Sequence, residues 1–107
     1  MKLVIAVVQH QDAGQLVEAL RENGYRVRRI SSEGGFLHEG NVTLFVMVEP
    51  QAVDHVLALI LRYCQTRTRY VSAPVVDTGE YYAAQPIEVR VGGATVFVLD
   101  IETLQRV

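Results

Sequence analysis

Cysteine occurs once in this chain, at Cys64, and lysine once, at Lys2. A lone thiol excludes an intramolecular disulfide, and with no partner ligand nearby it does not build a zinc site. No apolar run approaches the length that crosses a bilayer. The N-terminal run Leu3–Val8 stops at Gln9, shorter than a signal-peptide core and without a small-residue cleavage site. A positive excess is missing too. Ten basic residues stand against 12 acidic ones, a formal net charge of −2, which argues against a module that binds nucleic-acid polymers by bulk phosphate neutralisation. The expectation is a reduced, cytoplasmic protein with no membrane insertion. Apolar residues, by contrast, are plentiful. Half of the 107 residues are hydrophobic, too many for a disordered tail and enough for a single domain, residues 1–107, around one core. Nine of the ten basic residues are arginine, and six of these (Arg26, Arg28, Arg29, Arg62, Arg67, Arg69) fall in the segments 25–30 and 60–71, which contain no acid.

Leu3–Val8 lacks alternation and reads as a strand covered on both faces. Asp12 and Gln15 have the spacing of a capping box, with Ala13, Leu16, Val17 and Leu20 following at helical spacing until Asn23 and Gly24 stop the helix. Residues 25–30 read as a second strand whose alternation slips at Arg28 and Arg29. Residues 31–41 carry three glycines and no periodicity, hence a loop. Residues 42–49 alternate, with Val42, Leu44, Val46 and Val48 on one face. Pro50 opens a second helix, whose stripe Val53, Val56, Leu57, Ile60, Leu61 and Cys64 predicts its buried face. The pattern fades over 67–86, and 70–86 reads as a second loop. Ile87–Val91, Gly92-Gly93 and Ala94–Leu99 then have the form of a hairpin. Two successive β-α-β units and one extra strand predict an α+β fold, the ferredoxin-like βαββαβ sandwich with an additional C-terminal hairpin strand.

Catalytic patterns are weak. His10, His38 and His55 lie in different segments without metal-ligand spacing, no G-x-S-x-G elbow is present, and Cys64 sits on an apolar helix stripe where thiols are usually inert. Glu33 and Glu39 share a loop without a further partner and read as solvating residues. The segment from Arg26 to Asn41 is richer. Arg26, Arg28 and Arg29 precede a glycine-rich loop with Phe36, Leu37 and Asn41. Guanidinium forks hold phosphate, an aromatic ring stacks on a base, and an amide pairs with a base edge. The alternative is a hairpin tip beside a solvated edge strand. Phe36-Leu37 and Tyr81-Tyr82 place apolar residues in loops, which points either to contacts beyond the monomer or to loops folded back on the sheet.

Three stretches together resemble the PII-like cyclic di-AMP receptor family: Met1–Gln9 with Gln11 and Asp12, Gly34–Leu37 (G-G-F-L) with Gly40 and Asn41, and Val91–Val98 (V-G-G-A-T-V-F-V). The resemblance spans nearly the whole chain. It implies a homotrimer that binds cyclic di-AMP in clefts between subunits, without catalysis or a cofactor, and signals to a downstream protein through loop rearrangement. By this resemblance Arg26 takes a phosphate, Phe36, Leu37 and Asn41 hold adenine, and Phe97 adds an apolar wall. Val27, Arg28 and Gly35 complete the candidate set. The chain departs from the family pattern at Gly24, Arg28, Met47 and Arg106, and in a shorter 71–86 connection. Arg28 either adds a phosphate contact or fills space meant for a base. Two other readings stay open: a trimer that senses another adenine nucleotide or an anion, and a structural trimer resembling divalent-cation-tolerance proteins. An acylphosphatase-like enzyme is disfavoured, because residues 9–12 offer no arginine after the first strand.

Overall fold

The computed structural model describes residues 1–30, 40–73 and 85–107. Its elements are β1 (Lys2–Gln9), α1 (His10–Glu22), β2 (Val27–Ile30), β3 (Asn41–Val48), a 3-10 turn (Pro50–Ala52) leading into α2 (Val53–Cys64), β4 (Arg67–Ala73), β5 (Gln85–Val91) and β6 (Ala94–Asp100). Four strands form an antiparallel sheet in the order β2-β3-β1-β6, while β4 and β5 pair as a separate two-stranded sheet. Both helices pack on one face of the larger sheet, the ferredoxin-like α+β arrangement that the β-α-β pattern predicts.

Alternation explains that packing. Val4, Ala6 and Val8 of β1 and Val42, Leu44, Val46 and Val48 of β3 all turn toward the helices and are buried, together with Leu16 and Leu20 of α1 and Val56 and Ile60 of α2. Leu16, Leu20 and Leu44 are each 0% exposed, and burying a side chain of this kind stabilises the fold by about 1.5–3 kcal/mol. Among the described residues no helix lies on the opposite sheet face. Leu3, Ile5 and Val7 lie there half-buried, so the unbroken apolar run of β1 is fully covered on one side only.

Four local expectations are corrected. First, α1 begins two residues before Asp12, so Asp12 is no cap; it lies in the first helical turn, buried and ion-paired with Arg67. At its other end the helix stops as the sequence implies. Gly24 adopts φ 85°, and the Gly24 and Tyr25 amides donate to the Arg21 and Leu20 carbonyls at 3.0 Å, which delays β2 to Val27. Second, Leu61 is 69% exposed whereas Leu59 is 9% exposed. The two residues flank Ile60 on opposite sides of the helix, and the surrounding elements cover only one of them. Third, residues 67–73, read as patternless, form β4. Residues 67–70 are exposed, so no burial alternation marks its first four positions.

The fourth correction concerns Gly92 and Gly93. Both have φ 89°, as a tight turn would require, yet β5 pairs with β4, and β6 pairs with β1 from Lys2↔Asp100 to Val8↔Ala94. The glycine pair is therefore a crossing between two sheets: the second β-α-β unit closes with β6 rather than β5, and the additional element is the β4-β5 pair rather than a hairpin partner of β6. The crossing is fastened on both sides. The Gly93 amide donates to the Cys64 carbonyl at 2.5 Å, and the Gly92 amide donates to Gln9 Oε1 at 2.8 Å.

Candidate functional site

The short edge strand β2 is the starting point. Only Val27 turns into the core; Arg28, Arg29 and Ile30 are exposed, as is Arg26 just before the strand. Arg28 pairs with Phe45 of β3, Phe45 with Ile5 of β1, and Ile5 with Phe97 of β6, so these four residues form one rung across the outer sheet face. Beside the β2 end of that rung lies a groove of about 770 Å³. Five arginines line it: Arg26, Arg28 and Arg29 from the β2 segment, Arg21 from the last turn of α1, and Arg106 from the C-terminal tail. Leu3, Phe45 and Met47 supply an apolar floor, and among the described residues no carboxylate side chain lines the groove. Tyr25 borders the groove with its hydroxyl within 2.6 Å of His55 Nδ1 on α2.

Asn41 lies elsewhere. It starts β3 opposite Gln9, four residues from the Phe45 rung, or about 14 Å along the strand. There it borders a cleft of about 440 Å³ with Gln9, His10, Gln11, Gly40 and Arg90. Gln9 is held by the Gly92 amide and by Gln11 Nε2, which donates to Gln9 Oε1 at 2.8 Å, and the His10 amide donates to the Gly40 carbonyl at 2.5 Å. Phe97 lies three strands from Arg28, again about 14 Å away, and is 52% exposed. Within one chain the fold thus gathers Arg26, Val27 and Arg28, Val27 by its place in the strand rather than by its buried side chain. Asn41 and Phe97 stand apart from them. Gly35, Phe36 and Leu37 lie outside the described residues.

Sequence reasoning missed Arg21 and Phe45 as parts of the groove, whereas Arg106 and Met47, singled out as departures from the family pattern, both line it. Arg21 had a local signal, a cation in the last helical turn just before the acid-free segment 25–30. Arg106 had no local signal beyond that resemblance, since the tertiary course of the tail brings it to β2. The second arginine cluster also divides. Arg62 ends α2 as a cation suited to the helix dipole, but Arg67 and Arg69 belong to β4. Arg67 Nη2 donates to the buried Asp12 Oδ1 at 2.8 Å, and Nη1 reaches the Gln65 carbonyl at 3.2 Å. Cys64 is 2% exposed. Its burial, reinforced by the Asp12 charge, pushes the thiol up to about 11, so it stays protonated and unreactive. Among the described residues no three His, Cys, Asp or Glu side chains come together as a metal site, and no helix is long and apolar enough to cross a membrane.

Five guanidiniums over an apolar floor suit an anion with a flat aromatic part, since phosphate takes the forks and a base takes the floor. A crystal structure of a functionally unknown protein from Pediococcus pentosaceus ATCC 25745 shares the fold at a TM-score of 0.77 and 36% identity, covering 99% of this chain and 96% of that one. The family model described as cyclic-di-AMP receptor matches residues 1–107. This chain belongs to the cyclic-di-AMP receptor family.

Proposed function

We propose that this chain is a non-enzymatic, PII-like receptor for cyclic di-AMP that works in the cytoplasm as a homotrimer. The carrying observation is the separation of its candidate residues. Arg26 and Arg28 sit in the arginine groove, while Asn41 opens a different cleft about 14 Å along β3. A compact cyclic dinucleotide that engages both ends is best served by two chains, one supplying the arginine groove and its neighbour the Asn41 cleft. The outer sheet face supports such an assembly. Met47, Phe97 and Leu99 are 43%, 52% and 48% exposed on a face that no helix among the described residues covers, and an apolar surface of this kind marks a protein contact. In the receptor Arg26 neutralises a phosphate, Asn41 and the segment with Gly35, Phe36 and Leu37 hold an adenine, and Phe97 contributes apolar wall. Occupancy is passed to a protein partner through rearrangement of 31–41 and 70–86.

Calorimetric titration with cyclic di-AMP, combined with light scattering, tests this reading. The expected result is one ligand per chain in a particle of three times the 11.9 kDa chain mass, with slower proteolytic cleavage across 31–41 in the liganded protein. A properly assembled trimer that binds no cyclic di-AMP at high micromolar concentration overturns the ligand assignment, and a monomer that binds it overturns the cleft between subunits.

A further inference from the structure

The arginine groove is narrow in what its side chains offer. Among the described residues its five charged groups are all guanidiniums, which donate hydrogen bonds and accept none. The remaining polar side chain among the described lining residues, Tyr25, already has its hydroxyl engaged by His55 Nδ1 at 2.6 Å. A donor-only wall matches two features of a nucleotide: phosphate oxygens, and a base edge that presents two neighbouring acceptors. Guanine has that edge in O6 and N7. Adenine places an amino donor beside N7, where it would face a second donor, and instead matches a donor–acceptor pair such as an amide. The amides lie at the other end of β3, where Gln9, Gln11 and Asn41 border their cleft.

Charge counting points the same way. A cyclic dinucleotide brings two phosphodiester charges, which two guanidinium forks satisfy, and the groove holds five guanidiniums. The surplus forks line the same groove as Phe45 and Met47, the apolar floor on which a base would lie. Arg28 is best placed to read that base, because it is the direct cross-strand partner of Phe45 on the edge strand. The volume, about 770 Å³, is within the range of small-ligand sites.

We infer that the arginine groove is a guanine-reading subsite with Arg28 as the specificity-determining residue, so that this receptor prefers a mixed cyclic dinucleotide, adenine at the Asn41 cleft and guanine at the groove. The inference rests on the cyclic-dinucleotide reading above. It is tested by titrating the assembled protein and its Arg28→Thr variant, at one fixed salt concentration, with cyclic di-AMP, cyclic di-GMP and the cyclic adenine–guanine dinucleotide. A bidentate arginine–guanine pair corresponds to about 5- to 150-fold discrimination. The wild type is expected to bind the mixed ligand at least about 5-fold tighter than cyclic di-AMP, with cyclic di-GMP weaker than the mixed ligand, and Arg28→Thr to bring the mixed-to-adenine ratio close to one. Mixed ligand bound no better than cyclic di-AMP overturns the guanine subsite and leaves the cyclic di-AMP reading intact. Absence of binding by all three overturns both. An unchanged ratio in Arg28→Thr overturns the role of Arg28, and the wild-type ratio decides the subsite even if that variant does not fold.

Discussion

Alanine at Gly92 and at Gly93 makes a controlled comparison, because the two glycines share a backbone conformation and differ in surroundings. Both have φ 89°, so either substitution places a side chain in the left-handed region, at a cost of about 1–2 kcal/mol. At Gly93 the nearest atom to an added Cβ is the Thr66 hydroxyl oxygen at 3.1 Å, which a side-chain rotation relieves. At Gly92 the Cβ would overlap the Gln65 carbonyl oxygen and stand 2.8 Å from Arg67 Nη1. That carbonyl is backbone at the end of α2, and Arg67 is tied to Asp12, so the crossing itself must shift and strain the Gly92 amide bond to Gln9. Overpacking of this kind adds about 1–3 kcal/mol. Gly92→Ala is therefore expected to lose about 2–5 kcal/mol in total and Gly93→Ala about 1–2 kcal/mol. The assay is urea unfolding by circular dichroism at matched protein concentration, since assembly contributes to apparent stability. Equal losses, or a larger loss at Gly93, would refute the close approach of the crossing to α2.

Two further predictions concern α2. Leu59→Ala should cost about 2–4 kcal/mol and Leu61→Ala less than about 0.5 kcal/mol in denaturant unfolding, because Leu59 is 9% and Leu61 69% exposed; the reverse order would mean that the helix is rotated from its described setting. Cys64, held near 11 against an ordinary 9.0, should resist alkylation at pH 8 until the chain unfolds. The linkage sign follows from proton binding. Between the two values the unfolded chain releases the thiol proton and the folded chain keeps it, so the stability present below pH 9 falls as pH rises toward 11. A Cys64→Ser variant with the same alkaline loss would contradict the assignment.

The sandwich and the cationic character of β2 are legible in the amino-acid pattern. Alternation in β3 identified Val42, Leu44, Val46 and Val48 as core, Asn23 and Gly24 ended α1, and the acid-free run through Arg26, Arg28 and Arg29 marked a cationic edge, because each of these signals is local to a few residues. Sequence periodicity says which residues share a face; it does not say which strand pairs with which, or which flank of a helix is covered. Gly92-Gly93 has the same positive φ in a hairpin and in a sheet crossing, and only the free edge of β1 and the Cys64 carbonyl decide between them. Leu59 and Leu61 are chemically identical neighbours separated by their surroundings alone. Arg106 joins Arg21 and Arg28 across most of the chain, Asp12 finds Arg67 from 55 residues away, and Asn41 stands apart from Arg26 despite their nearness in sequence. Such juxtapositions depend on long-range pairing, so tertiary structure alone assembled the groove and split the candidate residues between two places.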